Sequence, residues 1–155
     1  MLAAGLLAAA LASAMVAGVF WAFSTFVMAS LAAVPGPEGL RLMREVNVQV
    51  MRSSFLAVFL ATAPLSAALG AWGIAAFGAP GAGAALAGAL AYLAGCFAVT
   101  MLGNVPLNNR LAQATPDTAE AVWRDYRRRW TRWNHVRTLA SLVAAALFTL
   151  AYRAV

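Results

Sequence analysis

The sequence predicts an all-α fold: an integral membrane four-helix bundle with a short interfacial helix after the first span and a cytoplasmic helix leading into the fourth. Three observations predict it. Of the 155 residues, 63% are hydrophobic and 10% charged, whereas soluble domains carry roughly 25% charged residues. The chain contains charge-free stretches over 1–34, 53–109 and 138–152, which give three full spans and most of a fourth. Between them lie short, arginine-bearing connections.

The first span, about 3–34, ends at "VPGPEG", where Pro35 and Pro37 stop the helix. Ala12-Ser13-Ala14 resembles a signal-cleavage site, but no basic segment precedes it and the apolar run continues to Ala33. A retained first span is therefore expected. In the following polar connection, Leu40, Met43, Val46 and Val50 have the spacing of an amphipathic interfacial helix. The long charge-free stretch reads as two spans, about 53–77 and 82–103, because "FGAPGAG" supplies a turn. Both carry small residues at every fourth position, Ala63, Ala67, Ala71 and Ala75, then Gly83, Ala87, Ala91 and Gly95. Such rows are expected to let helices approach closely in lipid. "NVPLNN" closes the third span, with Pro106 expected to bend or end the helix. Asp117 and Glu120 stand at capping-box spacing and open a helix that runs into the fourth span, about 133–152. The whole reads as one transmembrane domain over 1–155.

Ten of the eleven arginines lie in the connections 35–52 and 103–137, and there is no lysine. The positive-inside rule then places both connections in the cytoplasm and both termini outside, with a bacterial inner membrane the natural setting. The net charge of +6 finds its counter-charge in anionic membrane lipids. No recognition motif accompanies it, so nucleic acid is excluded as a partner. One cysteine, Cys96, and one histidine, His135, exclude a thiolate-rich or multi-histidine metal site within the chain, so no metal ligand is assigned. Cys96 reads as a small buried hydrophobe.

The densest polar cluster is "RRWTRWNHVRTLA", residues 128–140. The charge-free run after it, 138–152, gives about 22 Å of helix against a hydrocarbon core of about 30 Å. Crossing therefore draws Arg137, His135, Asn134 and Trp133 to the membrane boundary. Ionisable groups there either face the bundle as functional residues or snorkel to the phosphates. At 100° per residue Trp123, Tyr126, Trp130, Trp133, Asn134, Arg137 and Ser141 share one face, expected to look into the bundle or a pocket. Core packing is the competing reading of its tryptophans. Arg124, Arg128 and Arg132 share another face, with His135 nearer to them. Ser24 and Thr25 in span 1, and Asn104 and Asn108 in "MLGNVPLNN", should meet the inward stripe at the same level. Asn108 and Asn109 also read as helix caps, while Asn104 lies within the apolar stretch.

Together, "GVFWAFSTFVM", "GNVPLNN" and "WTRWNHVRTL", in this order and from about Gly18 to Leu150, resemble the anthrone oxygenase-like family of small integral membrane proteins. The resemblance implies oxygen insertion into a planar aromatic, anthrone-like lipophile by O₂ without an evident metal or organic cofactor. Such chemistry needs a base, donors for a developing oxyanion and a dry apolar cavity. The implied catalytic set is Arg137, Asn134, Asn104 and His135, with Trp21, Ser24, Thr25, Asn108, Trp130 and Trp133 toward the substrate. Trp21, Phe23, Trp130 and Trp133 are expected to sandwich a planar ring. His135 is the one side chain with an ordinary pKa near neutrality, yet on a straight helix it points away from Arg137 and Asn134. Glu38, Glu45 or the substrate's own acidity would otherwise account for deprotonation. The alternative function is a non-enzymatic membrane protein that binds lipid or another lipophile or serves as an assembly module. A transporter lacks a charged mid-membrane site. A homo-oligomer stays open.

Overall fold

The computed structural model describes residues 1–155 as five helices and no strand. Helix α1 covers Leu2–Ala32, α2 Gly36–Val50, α3 Ser54–Ala75, α4 Ala82–Ala112 and α5 Ala119–Ala154. By length and composition α1, α3, α4 and α5 are able to cross a membrane, which is consistent with an integral membrane protein. In lipid, only a helix satisfies its own backbone polar groups within one segment, so an apolar chain of this kind folds as spans.

The four long helices form a ring in the order α1, α3, α4, α5, with α5 closing back on α1. Sequence neighbours are therefore spatial neighbours, as short connections require. On α1 the buried positions are Leu6, Ala9, Ala10, Ser13, Val16, Ala17 and Phe20, the three- and four-residue spacing of one helix face. The core of the half that holds the chain termini is built from Leu6, Ala9, Ala10, Val16 and Phe20 with Phe59, Tyr92, Ala144 and Phe148. A second core at the other end joins Met28, Leu40, Met43, Leu107, Leu111, Trp123, Tyr126 and Trp130. Between α3 and α4 the chain turns at Gly78 and Gly81, whose φ angles of +96° and +80° lie where other residues are strained.

The small-residue rows correct one expectation. Ala67, Ala71 and Ala75 point outward, as do Gly83 and Ala87. Ala63 is buried and a Cβ at Gly95 would stand 2.6 Å from the Ala140 Cβ, so one member of each row does pack. The packed face of α3 is Phe59, Thr62, Ala63, Ser66, Leu69, Gly70 and Gly73. A Cβ at Gly70 would stand 2.9 Å from the Ala89 Cβ, and one at Gly73 would stand 2.7 Å from the Ala82 carbonyl. A strict four-residue row drifts around a helix of 3.6 residues per turn. In an alanine-rich chain several such rows exist, and only packing selects among them.

Two of the helices contain wide, i→i+5 turns: Phe23–Val27 in α1, then Ala91–Ala98 and Thr100–Asn104 in α4. Each helix carries a threonine in its wide region that bonds back to the carbonyl four residues earlier, Thr25 to Trp21 and Thr100 to Cys96, both at 2.8 Å. A hydroxyl competing for that carbonyl loosens the regular ladder. In α4 the wide turn directly precedes Pro106, whose ring would clash with the carbonyl of residue 102 in a regular helix. The helix therefore continues through Pro106 to Ala112, where the sequence predicts that it stops or bends. At the start of α5 the expected capping box is absent: the N-cap position is Thr118, without a side-chain cap bond.

The interfacial helix α2 lies across the ends of α4 and α5. Its Arg44 donates to the carbonyls of Leu111 at 2.9 Å and Ala114 at 2.6 Å. A cation on the last carbonyls of a helix is favourable both as a cap and against the helix dipole. This pair of bonds fixes how α2 faces the bundle.

Candidate functional site

Three elements converge at the end of the bundle that carries the arginines. The inward face of α5 presents Trp123, Tyr126, Trp130, Asn134, Arg137 and Ser141, all buried. Trp123, Tyr126 and Trp130 stack in a column, with ring centroids 5.8 and 6.0 Å apart. Phe23 of α1 leans on Trp130 at 5.5 Å. The stripe read from helical geometry is thus present, with one exception. Trp133 is 41% exposed and lies against Gly103 on the outer flank, since its Cα falls about 60° off the centre of the face.

Asn134 is the hub. Its Nδ2 donates to the Phe20 carbonyl at 2.7 Å and to Ser24 Oγ at 2.8 Å. Its Oδ1 accepts from Arg137 Nη2 at 2.7 Å. One amide thereby ties α1 to α5 and aims the guanidinium. Arg137 Nη1 reaches Thr100 Oγ1 at 3.4 Å. The guanidinium carbon lies 4.0 Å from the Phe20 ring centroid and 5.1 Å from that of Trp130, distances at which an aromatic face attracts a cation.

Arg137 is 4% exposed, its Nε has no partner, and no carboxylate pairs with it. The ion pairs of the structure all belong to Asp125, which holds Arg110, Arg128 and Arg129 on the outside. A buried cation is costly unless an anion and further hydrogen bonds offset its lost hydration. Here part of that compensation comes from an amide, a hydroxyl and two rings, and the anion is missing.

Arg137 lines a half-open cavity of about 180 Å³ to which α1, α2, α3, α4 and α5 all contribute. Its wall is mostly apolar, including Phe20, Phe23, Phe55, Phe59, Met43 and Trp130. The polar members are Arg137, Thr100, Asn108 and Asn47. Asn108 Oδ1 accepts from the Tyr126 hydroxyl at 2.8 Å and from Trp130 Nε1 at 3.0 Å. Asn104 is buried beside the cavity and donates to the Trp130 carbonyl at 3.3 Å, with its Oδ1 unpartnered.

The remaining expected site residues lie elsewhere. Trp21 is 56% exposed and lines an outer groove between α1 and α5 with Ser24, Thr25, His135 and Thr138. A ring cannot be sandwiched between Trp21 and Trp130, because α1 separates them: Trp21 and Phe20 are consecutive and project to different faces. Thr25 is exposed and bonds its own helix. His135 is exposed on α5, and its Nδ1 meets Ser24 Oγ at 2.9 Å. Ser24 in turn accepts from Asn134, so His135 touches the network from outside without reaching the cavity. Glu38 and Glu45 are exposed, and neither lines the cavity. No group of three or more His, Cys, Asp and Glu side chains converges anywhere in the structure.

Asn47 and Thr100 had not been read as site residues. Asn47 was detectable: it stands seven residues after Leu40, on the apolar stripe of α2 with Met43 and Val50. A polar residue on the buried stripe of an amphipathic helix is an exception that needs a reason. Thr100 carried no such signal, because threonine within a span is ordinary.

Fold and site define a class: a helical membrane-type bundle with an unpaired cation on an aromatic-lined cavity. The chain belongs to the anthrone oxygenase family, whose description matches residues 48–147. The match takes in α3, α4, most of α5 and the end of α2, and leaves α1 with its "GVFWAFSTFVM" segment outside. No curated protein and no solved structure matches the chain.

Proposed function

We propose that this protein is a membrane-embedded oxygenase that acts on a planar, enolisable aromatic lipophile of the anthrone class with O₂, without a metal or organic cofactor. The observation that carries the reading is Arg137, a buried guanidinium without a counter-ion on the wall of an aromatic cavity. An aryl ketone with an acidic CH₂ group loses one proton to become an enolate, and the enolate oxygen is the anion that Arg137 lacks. Pairing in a dry site makes that interaction stronger than it is in water. The electron-rich enolate passes one electron to O₂, the resulting radicals join at the carbon, the peroxide anion takes one proton back from water, and the hydroperoxide loses water. One ketone CH₂ and one O₂ thus give one new carbonyl and one H₂O.

In this reading Arg137 holds the oxyanion, Asn134 aims Arg137, and Asn104 braces the Trp130 backbone. Phe20, Phe23 and Trp130 flank the ring. No imidazole or carboxylate lines the cavity, so the site selects the ionised form of the substrate, and the proton leaves to water before the ligand is enclosed. Substrate and oxygen both partition from water into lipid. The arginine-rich connections face the cytoplasm of a bacterial inner membrane, in contact with anionic lipids, and both termini lie outside. His135, Trp21, Ser24 and Thr25 line the outer groove between α1 and α5, where Ser24 joins His135 to Asn134.

A second reading, binding of a lipid or other lipophile without catalysis, is favoured by the outward arginines. Arg124, Arg127, Arg128 and Arg132 surround a surface depression of about 610 Å³, a setting for lipid phosphates. The test is oxygen uptake by the purified protein given an anthrone, with and without chelator, compared with Arg137→Ala and Asn104→Ala. Uptake above the spontaneous rate that both substitutions reduce supports the oxygenase. Uptake no faster than the spontaneous rate overturns it for that substrate, and chelator sensitivity overturns the cofactor-free mechanism.

A further inference from the structure

The cavity wall is not closed evenly. Phe20, Met43, Phe59, Trp130 and Arg137 form a buried floor, whereas Met51 is the one wall residue that is exposed, at 68%. The cavity therefore reaches the surface at the corner where α2 ends and α3 begins.

The way α2 is held explains the opening. Arg44 ties it to the carbonyls of Leu111 and Ala114. At Gly39 it approaches its neighbours closely: a Cβ there would stand 2.6 Å from the Leu31 carbonyl and 2.8 Å from the Trp123 ring. Helix α2 thus packs on α4, α5 and the end of α1, and scarcely on α3, which follows it in sequence. Further along, Phe20 of α1 meets Phe55 of α3 edge to face at 5.7 Å. Between these contacts a window remains. Its rim is Val19 and Phe23 of α1, Val50 and Met51 at the end of α2, and Phe55 and Leu56 of α3, all on the cavity wall and none of them polar. The corner itself is fixed, because Ser53 Oγ donates to the Val50 carbonyl at 2.7 Å and accepts from the Leu56 amide at 3.3 Å. The window is preformed.

We infer that this window is the entrance by which an aromatic lipophile passes from the bilayer into the cavity, with Met51 as the threshold that limits the width admitted. The inference rests on the reading of Arg137 as the enolate's partner and adds the route to it. A rim without a hydrogen-bonding side chain offers water and ions nothing for their lost hydration, while an apolar ring crosses it without that cost. Amphipathic α2 and the adjacent Arg52 set the corner at the boundary between headgroups and acyl chains, the level at which aromatic rings with a polar edge collect. The polar groups Arg137 of α5 and Thr100 and Asn108 of α4 come from the helices opposite the rim. A ligand therefore enters with its oxygen-bearing edge leading. The groove between α1 and α5 shares no residue with the cavity and gives no such passage.

The test is the rate of binding. Met51→Cys takes a bulky aromatic maleimide, and the native Cys96, being buried, does not. Leu139→Cys, exposed in the α1–α5 groove, carries the same label for comparison. Anaerobic binding of anthrone is followed in stopped flow by the absorbance of its enolate. The label at Met51 should slow association by about tenfold or more. Dissociation should slow by the same factor, leaving Kd within about twofold, because an obstructed doorway alters both rates and not the balance between them. Met51→Trp, without a label, should slow both rates to a smaller extent. The label at Leu139 should alter neither. Association unchanged by both modifications at Met51, or slowed as much from Leu139, overturns the window while binding still depends on Arg137. A rise in Kd without slower association also overturns it, since Met51 would then belong to the bound site. Absence of binding, or binding that Arg137→Met leaves unchanged, overturns the enolate reading and the window as its entrance with it.

Discussion

Replacing Arg137 with methionine separates a functional cation from a structural one. The substitution removes a charge-assisted bond to Asn134 at 2.7 Å and a long bond to Thr100 at 3.4 Å. It also removes cation contacts to Phe20 and Trp130 at 4.0 and 5.1 Å. The bond to Asn134 is worth about 1.5–3 kcal/mol and the ring contacts about 1–2. Leaving Asn134 Oδ1 unsatisfied costs about 1–3 kcal/mol more. Against these stands relief from burying a charge without a carboxylate, several kcal/mol for an ion held out of water. The opposing contributions are of similar size, so Arg137→Met should change unfolding stability by no more than about 2 kcal/mol in either direction. Oxyanion binding has no such compensation, because losing one member of a buried pair costs about 2–5 kcal/mol. The kcat/KM for an anthrone should therefore fall by about 10²–10³-fold. Thermal unfolding in detergent and oxygen uptake on the same preparation measure the two quantities. A stability loss well beyond 2 kcal/mol that parallels the loss of activity would show that Arg137 anchors the bundle, and the reasoning from an unpaired charge would fail. Undiminished kcat/KM would refute it more directly.

Other outcomes follow from the same network. Asn134→Asp places a carboxylate within 2.7 Å of Arg137 and supplies the missing anion from within. Substrate affinity should drop at least tenfold with the fold retained, read by ligand titration. His135→Ala alters an exposed side chain outside the cavity and should leave kcat/KM within about threefold. A loss of several orders of magnitude would instead restore His135 as the base. Gly70→Leu forces atoms into the Ala89 contact, where a Cβ alone would stand at 2.9 Å, and should cost about 1–3 kcal/mol. By contrast Gly18, with nothing within 4 Å of its Cβ position, should tolerate alanine with a gain of about 0.5–1 kcal/mol; equal thermal midpoints for the two variants would contradict the packing described.

Much of the site was legible because it lies on one continuous helix. From Trp123 to Ser141 the angular positions follow from 100° per residue, so Trp130, Asn134 and Arg137 could be placed together on the inward face before any neighbour was known. The short apolar run after Arg137 placed that face at the membrane boundary. Trp133 shows the limit of this reading: it stands near the edge of the stripe, where a small rotation decides between core and exterior. Ser24 does meet the stripe, accepting from Asn134, whereas Trp21 and Thr25 do not line the cavity. Their level in the bundle was readable, but which side of α1 meets α5 was not, and the wide turn at Phe23–Val27 shifts the face again.

By itself, the sequence determined the all-helical class, the number of apolar helices, the polar level near one end and the composition of the inward stripe of α5. These depend on hydropathy and helical period, which are local. Only the tertiary structure decided which small-residue row packs, that α4 runs through Pro106, and that Arg137 has no carboxylate partner. It alone brought Asn47 of α2 and Asn108 of α4 to one cavity wall. Each of these depends on contacts between helices distant in sequence, where several arrangements satisfy the same local pattern. Close packing and the cost of an unpaired polar group then select one.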